Sequence, residues 1–129
     1  MLTGVGTDIL LIDRMRGQIT SAAFMERVFT PDEMNVGRWR ADPATYYAKV
    51  FAAKEAVFKC FGITAEDLGS WLFIEIKDSE EAQPVVVLSG LMAEHARAGN
   101  VEKVMLSLSS DTDYAVAFAA TVQGVPHDG

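Results

Sequence analysis

The chain reads as an α+β protein, an antiparallel sheet packed on one long central helix, and three observations predict that class. A short apolar N-terminal run is followed by two strong helix starts, Thr30-Pro31-Asp32-Glu33 and Asp42-Pro43. Past Gly62 the pattern changes to strand-like runs, alternating at Phe73-Ile74-Glu75-Ile76-Lys77 and continuously apolar at Val85-Val86-Val87-Leu88. The last third holds two further apolar runs, Val104 to Ser109 and Tyr114 to Val122, around the turn residues Asp111-Thr112-Asp113. A strand, then helices, then strand pairs is the order of an α+β domain.

Each element has a local reason. Leu2 to Thr7 is a short strand, and Ile9-Leu10-Leu11-Ile12 leads from it into a helical turn. Ser21 to Val28 is a helix with Phe24 and Val28 on one face. At the next start Thr30 is the N-cap, Pro31 takes the first helical position, and Glu33 stands where a capping box requires an acid. Asp42-Pro43 repeats the signal and opens the longest helix, from about Pro43 to Phe61, which Gly62 ends in the left-handed conformation. Asp78-Ser79-Glu80-Glu81 is an acidic, hairpin-like connection, and Ser89 caps a short helix running to Arg97 and stopping near Gly99-Asn100. No repeat or internal linker divides the chain, so residues 1–124 form one domain and 125–129 a frayed tail.

With 129 residues, half of them hydrophobic, the chain can bury a real core, and the apolar excess points to some surface buried between subunits. A net charge of −7 argues against general nucleic-acid binding, so an acidic partner needs a local basic patch. The single cysteine, Cys60, forms no intramolecular disulfide and suits a reducing compartment. No signal-peptide pattern and no apolar run near the ~18 residues of a spanning helix is present, so the expectation is a cytoplasmic protein without membrane insertion.

The chemistry concentrates in Phe51-Ala52-Ala53-Lys54-Glu55-Ala56-Val57-Phe58-Lys59, where one acid lies between two amines on an otherwise apolar helix. Glu55 is one turn past Phe51 and one turn before Lys59, so carboxylate, amine and apolar surface share a face. Lys54 points away from Lys59 on an ideal helix. Asp8 ends the strand-like Gly4-Val5-Gly6-Thr7. Two carboxylates on rigid elements can hold one hard cation against a phosphate, since Mg²⁺ commonly takes one or two carboxylates and fills its octahedron with water and substrate oxygens. The plainer reading is that Asp8 caps a turn and Glu55 makes an exposed helix pair with Lys59. The remaining candidates favour structural roles. Cys60 packs on the helix, His95 and His127 lack zinc spacing, Asp111 and Asp113 belong to a solvated turn, and Trp39 and Trp71 are core or interface anchors.

Four separated segments decide between these readings. Gly4-Val5-Gly6-Thr7-Asp8-Ile9, continuing to Ile12 and Arg14, resembles the N-terminal signature of the holo-acyl-carrier-protein synthases, a family within the 4'-phosphopantetheinyl transferase superfamily. Phe24 to Glu33 is similar to its middle element, and Phe51-Ala52-Ala53-Lys54-Glu55-Ala56 with Lys59 and Gly62 to its central signature. Ser107-Leu108-Ser109 leading to Tyr114-Ala115-Val116-Ala117 resembles its C-terminal strand pair. The motifs follow the family order across nearly the whole chain.

That resemblance implies a transferase that moves the 4'-phosphopantetheine arm of coenzyme A to a serine of an apo acyl carrier protein and releases adenosine 3',5'-bisphosphate. By likeness, Asp8 and Glu55 hold Mg²⁺ against the pyrophosphate, and Lys59 adds positive charge to it. Lys54 and Gly62 contact coenzyme A, and Arg14 with Arg27 binds the carrier, Arg16 being better read as solvated. The serine proton leaves through a metal-bound water or through Glu55. The resemblance also implies homotrimers with active sites at subunit interfaces, and a place in fatty-acid and lipid biosynthesis, although the residues do not choose between fatty-acid, polyketide or other carriers.

Three positions depart from the family pattern. Val50 stands where an Arg precedes the central aromatic, with Lys49 one residue earlier, a shift that turns a helical side chain by about 100°. Gly62-Ile63-Thr64 replaces Gly-Thr-Gly, and Ser110 replaces a His. The expected cost falls on coenzyme A affinity rather than on the metal site. Two other readings use the same residues: a carrier-binding paralogue without turnover, and a metal-dependent hydrolase of nucleotide pyrophosphates.

Overall fold

A computed structural model of the chain describes residues 1–77 and 83–125. Strand β1 (Leu2–Leu11) is followed by four helices, α1 (Ile12–Gln18), α2 (Ala22–Val28), α3 (Pro31–Gly37) and the long α4 (Pro43–Cys60). A single-turn helix α5 (Ala65–Leu68) and a 3₁₀ turn (Trp71–Phe73) lead to the hairpin strands β2 (Ile74–Lys77) and β3 (Val85–Leu88). Helix α6 (Gly90–Ala98) and strands β4 (Val101–Ser110) and β5 (Tyr114–Gln123) complete the fold. The larger sheet is antiparallel in the order β1-β5-β4, and β2 pairs with β3 in a second, two-stranded sheet. The α+β expectation is therefore met, with α4 lying on the larger sheet.

The local signals act largely as read. Thr30 and Glu33 close the reciprocal capping box, Ser21 Oγ accepts from the Phe24 N–H, and Gly62 takes φ +62° after α4. Strand β1 runs on to Leu11 rather than stopping at Thr7, because Ile9 and Leu11 continue its ladder opposite Val116 and Tyr114. Asp42 does not cap α4 with its side chain; its carboxylate instead accepts from Thr45 Oγ1 at 2.7 Å and from Arg16 at 2.8 and 3.2 Å. Helix α5 stands where the sequence pattern predicts no helix, and its cause is local: Thr64 and Asp67 form a second capping box. The acidic connection and most of the C-terminal tail lie outside the described residues.

Close packing of small residues seats α4. Ala48, Ala52, Ala53 and Ala56 are buried on the helix, and Ala115, Ala117 and Ala119 are buried on β5 below it. On β1 the small residues are Gly4 and Gly6. A methyl group at Gly4 would overlap the Cys60 carbonyl oxygen, and one at Gly6 the Ala56 carbonyl oxygen. Strand backbone thus lies directly against helix backbone, an approach open only to glycine. Trp71 packs edge-on to Phe51 and Phe58, whereas Trp39, between α3 and α4, is 81% exposed and makes no ring contact among the described residues.

Candidate active site

Glycine contact at positions 4 and 6 delivers the next inward side chain of β1, Asp8, to the flank of α4. There Lys59 Nζ donates to Asp8 Oδ1 at 3.1 Å and to the Thr7 carbonyl at 3.0 Å. Asp8 Oδ2 is buried without a hydrogen-bond partner among the described residues. The Glu55 carboxyl is raised from its ordinary 4.5 to about 7, first by burial, then by repulsion from Asp8 and by sharing a hydrogen bond with it; Lys59 pulls the other way. Asp8, Glu55 and Lys59 are therefore brought together as the sequence predicts, and the plainer readings of a turn cap and an isolated helix pair do not describe them.

Two carboxyls interact here beside one lysine, and one buried carboxylate oxygen is left over. Such a set is electrostatically short of positive charge, and a hard dication is the species that oxygen donors of this kind suit. Among the described residues no cluster of three or more acidic, His or Cys side chains exists, so such an ion would take its other oxygens from water and substrate. The residues present fit Mg²⁺.

Lys54 requires a correction. Its side chain is fully buried, with Nζ 2.7 Å from Glu33 Oε1 and donating to the carbonyls of Val28 at 2.6 Å and Trp71 at 3.2 Å. Burial lowers its pKa and the Glu33 charge opposes that shift. An amine enclosed in this way cannot reach coenzyme A, so the substrate contact expected of Lys54 is withdrawn. Glu33, legible in the sequence only as a capping residue, is its partner; nothing in the local pattern links the two.

Among the described residues, the other predicted ones make no hydrogen bond or ion pair with these three side chains. Gly62 is exposed at the end of α4, with open space where a side chain would stand, and its N–H bonds back to the Lys59 carbonyl. Arg14 is exposed and makes no ion pair among the described residues, while Arg27, also exposed, lies over the Phe24 ring at 5.8 Å. Arg16 is held by Asp42 and Asp13. Cys60 is buried and its thiol is pushed up to about 11, which fits a packing role. His95 Nε2 lies 3.0 Å from the Asp67 carbonyl oxygen, a structural contact, and His127 is outside the described residues.

A cavity of about 550 Å³ opens at the N-terminal half of α4, lined by Arg40, Tyr46, Lys49, Val50, Ile76 and Leu108 among others. The one-residue shift between Lys49 and Val50 does not take the lysine elsewhere: both residues border this one cavity, and Lys49 makes no hydrogen bond or ion pair among the described residues. Arg40 borders it too, its guanidinium 5.3 Å from the centre of the Tyr46 ring. Sequence reasoning missed Arg40, because nothing local shows that the α3–α4 connection folds back over the helix.

The fold and the paired carboxylates define a class: a small α+β protein that gathers two acidic side chains and a lysine where its first strand meets the central helix. The chain belongs to the 4'-phosphopantetheinyl transferase superfamily, whose family model it matches over residues 4–119. It is 40% identical over 124 residues to a holo-[acyl-carrier-protein] synthase of Desulforudis audaxviator, covering 95% of this chain and 94% of that one. Its fold is similar to the crystal structure of holo-[acyl-carrier-protein] synthase from Neisseria meningitidis, with TM-score 0.85 and 30% identity over 95% of this chain and all of that one. The synthase from Bacillus anthracis, solved in complex with CoA (3',5'-ADP), superposes with TM-score 0.80 at 28% identity, covering 96% of this chain and 99% of that one.

Proposed function

We propose that this protein is a Mg²⁺-dependent holo-acyl-carrier-protein synthase, transferring 4'-phosphopantetheine from coenzyme A to a serine of an apo acyl carrier protein. The observation that carries this reading is the meeting of Asp8, Glu55 and Lys59 at the glycine contact of β1 with α4, in a chain matched over 95% of its length by a relative named as such a synthase.

In this reading Asp8 and Glu55 would hold the metal, which when bound polarises the attacked β-phosphate and offsets charge on the leaving group. Lys59, half exposed, turns its ammonium from the Thr7 carbonyl toward the pyrophosphate and stabilises charge that develops there. The serine oxygen forms a bond to the β-phosphorus as the bond from that phosphorus to the bridging oxygen breaks. Adenosine 3',5'-bisphosphate leaves with the bridging electrons. The serine proton would leave toward Glu55 or to a water held in the site.

Coenzyme A approaches over the exposed end of α4 at Gly62, with the Lys49 and Arg40 cations near Val50 answering its nucleotide phosphates. Arg14 and Arg27 meet the acidic carrier, which a chain of net charge −7 would otherwise repel. The protein acts as a homotrimer. Support for that comes from the outer face of the larger sheet, where Val5, Ile9, Met105, Val116 and Phe118 are 38 to 60% exposed, an apolar surface suited to a second copy. A cytoplasmic location agrees with the lone buried thiol, and no helix of the described residues is long and apolar enough to cross a membrane.

Intact-mass analysis tests the reaction: an apo carrier protein is incubated with coenzyme A, Mg²⁺ and either wild type or Glu55→Ala. Gain of one phosphopantetheine group with wild type, lost in the variant, is the expected result. No gain on any of several carriers would replace this reading by the paralogue without turnover, and coenzyme A cleavage without carrier would replace it by the hydrolase.

A further inference from the structure

Lys54 and Glu33 join five pieces of chain at one buried point. Lys54 Nζ meets Glu33 Oε1 at 2.7 Å and donates to the Val28 carbonyl at the end of α2 and the Trp71 carbonyl in the 3₁₀ turn. Glu33 Oε1 accepts from the Thr30 N–H at 2.8 Å, at the start of α3, and Oε2 accepts from the Ile76 N–H of β2, also at 2.8 Å. Both side chains are within 1% of full burial, so every polar atom of the pair has its partner inside the protein. The Lys54 ammonium also stands 5.7 Å from the centre of the Phe29 ring.

Burial of two charges is poor economy if density alone is wanted, because well-packed apolar residues of the same volume are often as stable or more so. What an apolar pair lacks is direction. The five bonds of Lys54 and Glu33 fix both the rotation and the axial position of α4 against α2, α3 and β2. On its other flank α4 rests on Gly4 and Gly6, small residue on backbone, and its polar hold there is the half-exposed Lys59 ammonium on Asp8 and the Thr7 carbonyl. Glu55 is the residue after Lys54, and Lys59 follows one turn later. Any slip of the helix moves both relative to Asp8.

We infer that Lys54 and Glu33 are positioning residues, a buried polar latch that sets α4 so that Glu55 and Lys59 meet Asp8 on the opposite flank. This rests on the transferase reading for its consequence in turnover, and on geometry alone for its consequence at the carboxylate pair. The latch neither touches substrate nor holds metal; it acts through the placement of the residues that do.

The test is the uncharged double variant Lys54→Met/Glu33→Gln, which avoids leaving a lone buried charge. Three readouts are taken on the full chain: thermal melting, Mn²⁺ titration followed by electron paramagnetic resonance, and kcat with KM for coenzyme A. The expected result is a folded protein whose Mn²⁺ affinity falls about tenfold, as for loss of groups that orient metal ligands. With it kcat falls while KM for coenzyme A stays near wild type, and a crystal structure shows the Lys59–Asp8 contact broken. A folded variant with wild-type Mn²⁺ affinity, wild-type kcat and the Lys59–Asp8 contact retained would overturn the inference. If the double variant does not fold, Lys54→Gln/Glu33→Gln, a neutral pair that keeps one donor between the two side chains, is put through the same measurements with the same two outcomes in smaller degree. Failure of the transferase reading is distinguishable, since it shows in wild type as absence of transfer, while the contact distance and the Mn²⁺ titration still report on the latch.

Discussion

Lys59 Nζ bonds both the Asp8 carboxylate, at 3.1 Å, and the carbonyl of Thr7, at 3.0 Å, so one ammonium from α4 grips side chain and backbone of β1 together. The residues lie 51 positions apart in the chain, and their meeting depends on how near the two backbones can come. Glycine at positions 4 and 6 sets that distance, and the reactive cluster inherits it.

Gly6→Ala should therefore disturb the site from behind. Its methyl would collide with the Ala56 carbonyl oxygen and with Lys59 Cβ, forcing α4 outward. Overpacking of this kind costs about 1–3 kcal/mol, seen as a lowered Tm with a matching loss of activity. Gly17→Ala is the control: Gly17 lies in helix α1 with nothing within 4 Å of the added methyl. It should hold or raise Tm, since alanine is favoured over glycine by roughly 0.5–1 kcal/mol in a helix. Equal melting temperatures for the two variants would refute the close-contact account.

Stability should depend on pH through Glu55 when metal is absent. The folded form keeps this proton up to about 7, whereas the unfolded chain releases it near 4.5. Between those values the folded state binds more protons, so the contribution of Glu55 is complete below about 4.5 and is lost as pH rises to about 7. Melting in EDTA at several pH values should show this decline in wild type and a flatter profile in Glu55→Gln. Identical slopes in the two proteins would remove Glu55 as the cause.

Arg14→Ala should weaken the encounter with an acidic carrier and leave coenzyme A untouched. Arg14 is exposed and carries no ion pair among the described residues, so its charge is available to a partner. KM for the carrier should rise several-fold at low salt, and the difference should shrink as ionic strength screens the surface. A rise in KM for coenzyme A instead would move Arg14 from the carrier surface to the nucleotide side.

Phe118→Asp addresses the sheet face. Phe118 is 49% exposed on β5, with Val116 and Tyr114 of the same strand on the same side. A charge in the middle of a buried apolar interface would be strongly unfavourable, so sedimentation should report a smaller species than wild type. A wild-type protein that sediments as a monomer would end the trimer reading and leave the patch to another partner.

Sequence alone determined what is local. Thr30, Pro31 and Glu33 define a helix start by bonds within four residues, Gly62 ends α4 because only the left-handed turn follows there, and the spacing of Glu55 and Lys59 follows from helical period. The motif order also carried the carboxylate pair, since Asp8 and Glu55 each sit in a recognisable segment. Local pattern does not reach the end of β1: it stops the strand at Thr7, whereas the pairing that carries it to Leu11 comes from β5 at the far end of the chain. Tertiary structure alone decided what each face of α4 meets. Helical period puts Lys54 on a different side from Lys59, but only the packing of α2, α3 and β2 makes that side a buried one, with Glu33 as its partner. In the same way Lys49 and Val50 came to share one cavity with Arg40. A sequence gives the angles of side chains about their own helix; the neighbours waiting at those angles are set by burial and close approach across the whole fold.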